Sequence, residues 1–308
     1  MLRRLFPSII ALAFAGLVSS EAQAGKYDLD LTALGDVDDE GNVAPDRVAF
    51  RSLASELGTV IAPKPVDPGD SLGLSGFSLS ADLSLNTISY KDEYWTSTAS
   101  SSPDKIVPTL AVTGRKGLWP GLEVGAGASH VFDSKMWTVN GYGKLALHEG
   151  FHHLPIPTIA LRVMGSQLLG SKDLKMTTLS AGAVISHVFG VGSTVNITPY
   201  IGYQALFVFA RTGVIDSTPG IDEYLGESEP CANGVAGCTV TPEFVFERQT
   251  VIRHRPYLGF RVIFAVLRVG FEAMIVPGGS SSEDIAGTSI KDGAGLQQQY
   301  SFTFGLDF

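Results

Sequence analysis

The nine residues Tyr300-Ser301-Phe302-Thr303-Phe304-Gly305-Leu306-Asp307-Phe308 put large apolar side chains at every even position and small or polar ones at every odd position. Successive side chains of a β-strand point to opposite faces, so this segment has one dry face and one wet face. Strands of soluble sandwiches alternate in the same way, but alternation ending on an aromatic residue and joined to an export signal is more specific. The signal lies at the other end. Arg3 and Arg4 precede an apolar stretch from about Leu5 to Val18, and Ala22-Gln23-Ala24 before Gly25 gives the small-x-small pattern of a cleavage site. Residues 1–24 therefore read as a signal peptide and Gly25 as the mature start. No Cys follows the cleavage point to carry a lipid anchor. The apolar stretch is shorter than the ~20 residues a spanning helix needs. The next candidate, Val262 to Val276, is interrupted by Arg268 and Glu272 and reads as a strand.

The final strand closing on Phe308 resembles the C-terminal assembly signal of bacterial outer-membrane β-barrels. That resemblance implies an all-β, antiparallel transmembrane barrel in the outer membrane, in contact with outer-membrane lipid. It also implies that Tyr300, Phe302, Phe304 and Phe308 are read by the barrel-assembly machinery. The rest of the chain has the matching rhythm. From about Gly76 to Ile88, Phe77, Leu79, Ala81, Leu83 and Leu85 share one face, and Ser78, Ser80, Asp82, Ser84 and Asn86 share the other. Further strands are predicted at about Ile106–Thr113, Leu122–Val131, Trp137–Leu147, Thr158–Ser166, Leu174–Val188, Thr194–Phe209, Thr250–Val262, Leu267–Val276 and Gln298–Phe308. The 35 glycines recur inside apolar stretches such as Leu122 to Ala128, where they suit curved strands and oppose helix.

Ten strands, within a range of eight to twelve, satisfy a parity test. Outer-membrane barrels keep short turns on the periplasmic side and long loops outside. With the first strand running outward, Lys91–Asp104, Ala210–Gln249 and Pro277–Leu296 all fall outside and Phe308 returns to the periplasm. The barrel is then residues 72–308. Residues 25–71 differ in character. They begin acidic, offer one amphipathic helix from Pro45 to Leu57 with Phe50, Leu53, Ala54 and Leu57 on one face, and end in the linker Pro63-Lys64-Pro65-Val66-Asp67-Pro68-Gly69. The favoured arrangement is a periplasmic tail with the helix under the barrel mouth; the alternative is a plug in the lumen.

Turning the polar faces inward lines the lumen with Asp82, Glu123, Lys144, Arg162, Arg253, Arg255, Arg261, Arg268 and Glu272, six basic and three acidic. Such groups must pair or stay hydrated. The first functional reading is a narrow channel for small polar or anionic solutes, since excess arginines favour anions. A closed barrel with a structural or surface-interaction role is the second reading, and a lipid-modifying enzyme the third. A formal net charge of −9 argues against nucleic acid as a partner. Cys231 and Cys238 are expected to form a disulfide in a polar loop rather than hold a metal. No cofactor is expected. Enzymatic activity is not expected either. Omptin-type proteases resemble the chain in size and strand number, yet the chain has no Asp-x-His, and its Asp-x-Asp spacings precede the barrel. His130 follows Ser129 and His187 follows Ser186, but neighbours along a strand face opposite sides.

Overall fold

The computed structural model describes residues 25–37, 43–64, 66–149, 156–192, 194–216, 243–285 and 287–308. Its framework is ten antiparallel strands: β1 (Phe77–Thr87), β2 (Ile106–Trp119), β3 (Leu122–Val131), β4 (Trp137–His148), β5 (Thr158–Leu169), β6 (Leu174–Ser186), β7 (Val195–Thr212), β8 (Gln249–Phe264), β9 (Leu267–Val276) and β10 (Gln297–Asp307). Each pairs with its neighbour in sequence. The sheet closes where β10 meets β1, from Gln299 opposite Asn86 to Asp307 opposite Ser78. The ring of Phe308 stacks on that of Phe77 across this seam, 5.8 Å between centroids.

Burial around the barrel is inverted relative to a soluble protein. On β1, Ser78, Ser84 and Asn86 are buried, while Leu79 and Leu83 are about 40% exposed (43% and 40%). On β10, Gln297, Gln299, Ser301 and Thr303 are buried, and Tyr300, Phe302 and Phe304 face out. A wall apolar outside and polar inside is stable when hydrocarbon replaces water around it. The ten-strand antiparallel barrel expected from alternation is the observed fold.

The connections also segregate. Connections 120–121, 149–157, 187–194 and 265–266 join strand ends at one side of the barrel, and the strand ends joined by 88–105, 213–248 and 277–296, the longest, are all at the other. One boundary is corrected. β2 continues to Trp119 instead of stopping at Thr113, because the Gly114-Arg115-Lys116-Gly117 stretch is strand and not turn. Gly117 has a packing reason to be glycine, since a Cβ there would lie 1.8 Å from the carbonyl oxygen of Gly73.

The N-terminal segment is not a tail beneath the short-turn end. It starts over the opposite mouth, where the Tyr27 amide donates to the Asp133 carbonyl (2.9 Å) and the Asp30 amide to the Thr98 carbonyl (2.8 Å). A 3-10 turn, Leu31–Leu34, leads into a short hairpin of Gly35–Val37 with Val43–Pro45. Helix α1 (Arg47–Ile61) then enters the lumen from the long-connection end. It is capped by the Asp46 carboxylate, which accepts from the amides of Val48 and Ala49, so Pro45 lies outside it. Nor does Gly58 stop the helix. The wall comes close there, and a Cβ on Gly58 would sit 2.5 Å from a methyl of Val208.

The tail reading rests on one apolar face of α1, whereas both faces are buried. Phe50, Leu53, Ala54 and Leu57 are buried, but so are Arg51, Ser55, Glu56 and Thr59. A helix with a polar face buried as thoroughly as its apolar one needs a partner offering both kinds of surface. The lumen does so. The signal peptide assigned to residues 1–24 and the Cys231–Cys238 pair lie outside the described residues.

Candidate functional site: a lumen filled by its own chain

Below α1, residues 63–64 and 66–70 lie along the middle of the barrel. Prolines at 63, 65 and 68 remove backbone donors and favour an extended chain, leaving carbonyl oxygens that no internal ladder satisfies. Arginine and lysine side chains carry donors and no acceptors. The two sets match. Arg255 donates to the Pro63 carbonyl (3.1 Å), Arg268 to that of Val66 (2.7 Å) and Arg162 to those of Asp67 and Pro68 (2.6 and 3.2 Å). Lys144 reaches the carbonyls of Pro68 and Asp70 (3.3 and 2.7 Å). Val66 is held at φ 36°, in the left-handed region that a β-branched residue rarely enters.

Asp67 is the centre of this arrangement. Its carboxylate lies 2.6 Å from the Lys144 ammonium and 2.9, 3.0 and 3.4 Å from the guanidinium groups of Arg115, Arg268 and Arg261. Burial alone would raise its pKa. The four cations, led by Arg115, outweigh burial and hold the carboxyl well below the usual carboxylate range. Asp70 pairs with Arg261 at the short-turn end. There Glu123 accepts the Leu72 amide (3.1 Å) and lies 3.4 Å from Lys144. Beside the plug, a cavity of about 40 Å³ bounded by Lys64, Asp82, Arg115 and Asn140 has room for a few waters.

The upper half of the lumen is built differently. Leu174, Met176, Leu206, Val208, Ala210 and Val251 point inward and form one buried cluster with Phe50, Leu53 and Leu57 of α1. The rings of Phe50 and Phe246 stack at 4.2 Å. On the polar side of α1, the Glu56 carboxylate accepts from Trp95 Nε1 (2.7 Å), the Ser89 amide and hydroxyl (2.9 and 2.6 Å), Tyr94 (3.2 Å) and the Gly295 amide (3.0 Å). One side chain thus ties the plug to two of the long connections.

All nine predicted lumen residues face inward and are buried. Lys144, Arg162, Arg255, Arg261 and Arg268 converge on residues 63–70, whereas Arg253 serves the upper half, donating to Ser55 (2.6 Å) and the Pro277 carbonyl (2.8 Å). Asp82 takes a hydrogen bond from Ser80 (3.2 Å), and Glu272 from Tyr200 (3.2 Å). Sequence reasoning missed Arg115 because β2 was ended too early. It also misses Asp67, Asp70 and Glu56, because their segment reads in sequence as a helix and linker, favoured as a tail over a plug. A signal was present in Ala205-Leu206-Phe207-Val208-Phe209-Ala210, apolar on both faces, which marks a strand dry on its lumen side as well. The Ser–His neighbours do not join. The Ser129 hydroxyl bonds Thr138, while the His130 ring bonds the Ser134 carbonyl. The Ser186 hydroxyl accepts from the Gly69 amide of the plug, while His187 packs on Phe189.

A closed ring of ten strands, lipid-facing outside and charged inside, defines a transmembrane β-barrel of the outer-membrane type. Among solved structures, the chain is similar in fold to Ail, the attachment invasion locus protein of Yersinia pestis, at 8% identity and a TM-score of 0.27 over 76% of this chain and 99% of that one. Neisserial surface protein A is similar at 12% identity and 0.27, over 75% and 95% of the two chains. The outer membrane protease OmpT from Escherichia coli is similar at 9% identity and 0.32, over 76% and 94%. These are likenesses of fold alone. No family model matches the sequence, and no curated protein does.

Proposed function

We propose that this protein is an outer-membrane barrel kept closed by its own N-terminal segment, and that its working surface is the outward cap formed by residues 25–37 with the connections 88–105 and 277–296. The observation that carries this reading is the Asp67 carboxylate held by four lumen cations. An ionic cluster so fully paired and buried is expensive to disassemble, because each group released would be left charged and unpartnered. A barrel so filled serves as a structural or surface-interaction protein. The second reading is an anion-selective channel that conducts only when the segment withdraws. It is favoured by the wall itself, where Arg115, Lys144, Arg162, Arg253, Arg255, Arg261 and Arg268 outnumber Asp82, Glu123 and Glu272.

Single-channel recording under unequal salt separates the two. The mature chain is expected to be electrically silent, and a chain lacking residues 25–71 to conduct with anion preference. Steady conductance from the intact, folded chain would sink the closed reading. Labelling of Lys26→Cys by a membrane-impermeant maleimide on intact cells tests the orientation, with reaction expected.

A further inference from the structure

Some cations at the long-connection rim are paired. Lys26 pairs with Asp104 (2.6 Å) and Lys135 with Asp28 (3.7 Å). Lys175, Arg211 and Arg248 have no acidic partner among the described residues, yet they border one open groove on the lipid-facing side of the wall, together with Gln167, Thr177 and Phe209. Lys175 of β6 and Arg211 of β7 are directly opposite each other in the ladder. Like charges so placed, with Cβ atoms roughly 5 Å apart, oppose strand pairing. Arg248 is drawn to the same spot by Phe209, its guanidinium carbon 4.9 Å from the ring centroid.

Cations that only anchor a barrel at the membrane surface can spread apart and reach separately for water. These three converge, and although the Phe209 ring holds Arg248, the repulsion among them is relieved when a multivalent anion sits between them. The anion's depth is fixed by what lies below. Two outward positions down the same faces, past Thr177 and Thr250, are Leu179 and Ile252, at 43% and 38% exposure, which belong to the hydrocarbon band. The groove is therefore cationic at headgroup height and continuous with acyl-chain height. We infer that it binds a phosphorylated glycolipid of the outer leaflet, with phosphate between Lys175, Arg211 and Arg248 and an acyl chain along Leu179 and Ile252. The inference rests on the outward orientation of the long connections proposed above and is independent of whether the lumen is closed.

The test is binding of bisphosphorylated lipid A to the folded mature chain in detergent micelles, read by native mass spectrometry and by titration. A basic residue near an anionic surface contributes about fivefold. Lys175→Gln with Arg211→Gln is thus expected to weaken binding about 25-fold, and adding Arg248→Gln about 100-fold. Lipid A stripped of both phosphates should bind the parent at least tenfold more weakly. All three side chains face outward, so folding should be retained. If the strand variants fail to fold, Arg248→Gln alone, outside any strand, should still cost about fivefold. Equal affinity for the two lipid A forms, or unchanged affinity in the folded variants, overturns the site. Displacement of lipid A by an equal concentration of inorganic phosphate makes it a free-anion site and overturns the lipid occupant. Because micelles have no sidedness, a failure of the orientation would show instead as absent labelling at position 26, with lipid A binding intact.

Discussion

The two halves of the lumen close the same barrel by different physics. In the upper half, α1 buries Phe50, Leu53 and Leu57 against inward apolar side chains of β6, β7 and β8, as a helix docks on a sheet in a soluble core. In the lower half, Pro63, Val66, Asp67, Pro68 and Asp70 are held by cations on their carboxylates and carbonyls. Apolar burial accrues in proportion to area and tolerates small shifts. A buried ionic cluster holds only when every partner is present. The upper half should therefore weaken by degrees under mutation, and the lower half should fail as a unit.

The harshest way to probe this contrast is Asp67→Ala. It leaves Arg115, Lys144, Arg261 and Arg268 facing one another and should cost about 3–5 kcal/mol. The loss should appear as plug release at lower urea and as anion-selective conductance; a variant that behaves like the parent would erase the distinction between the halves. Acid should reach the same endpoint. A carboxyl whose folded pKa lies well below its ordinary 3.8 stabilises the plugged state at every pH above that value. This contribution declines as pH falls from there toward the folded pKa. Conductance of the parent should thus stay absent at neutral pH and appear only below about pH 4, while Asp67→Asn should show no such acid transition.

A smaller effect is expected from Leu57→Ala, about 3 kcal/mol from lost burial and a partial cavity. Amides of α1 should exchange faster while the lower half keeps the barrel silent; conductance in this variant would mean that the halves are not separable. Glu56→Gln keeps the shape but weakens five hydrogen bonds, costing about 1–2 kcal/mol. Its readout is Trp95 emission, which should shift to the red as the 88–105 connection loosens. Lys26→Ala removes only a surface pair, and the unfolding midpoint should not move.

The wall was far more legible in the sequence than its contents. Alternation in Phe77–Thr87 and Gln297–Asp307 identifies the lipid face because only one face of each strand can be dry. The same rule places Arg261 and Glu272 inside without saying what they meet. Boundaries differ where glycine has a second meaning: Gly58 reads as a helix stop yet lets Val208 approach, and the glycines from Gly114 read as turn although Gly117 is strand and lets Gly73 approach. The plug is the second reading of the sequence, and not the first, for a chemical reason. Pro63 to Gly69 has the composition of a linker in water, and becomes a ligand only opposite a wall of donors that is assembled from strands far away in sequence.

The seam between β1 and β10 fixes an order of events. The segment enclosed by the barrel, residues 47–70, precedes β1, and the strand that completes the enclosure is the last in the chain. What is synthesised early is therefore wrapped by what is synthesised late. Once Asp307 has met Ser78, the helix can enter or leave only lengthwise, through the mouth that its hairpin caps. The pairing of β1 with β10 therefore acts as a clasp: it sets the one direction in which the contents can move.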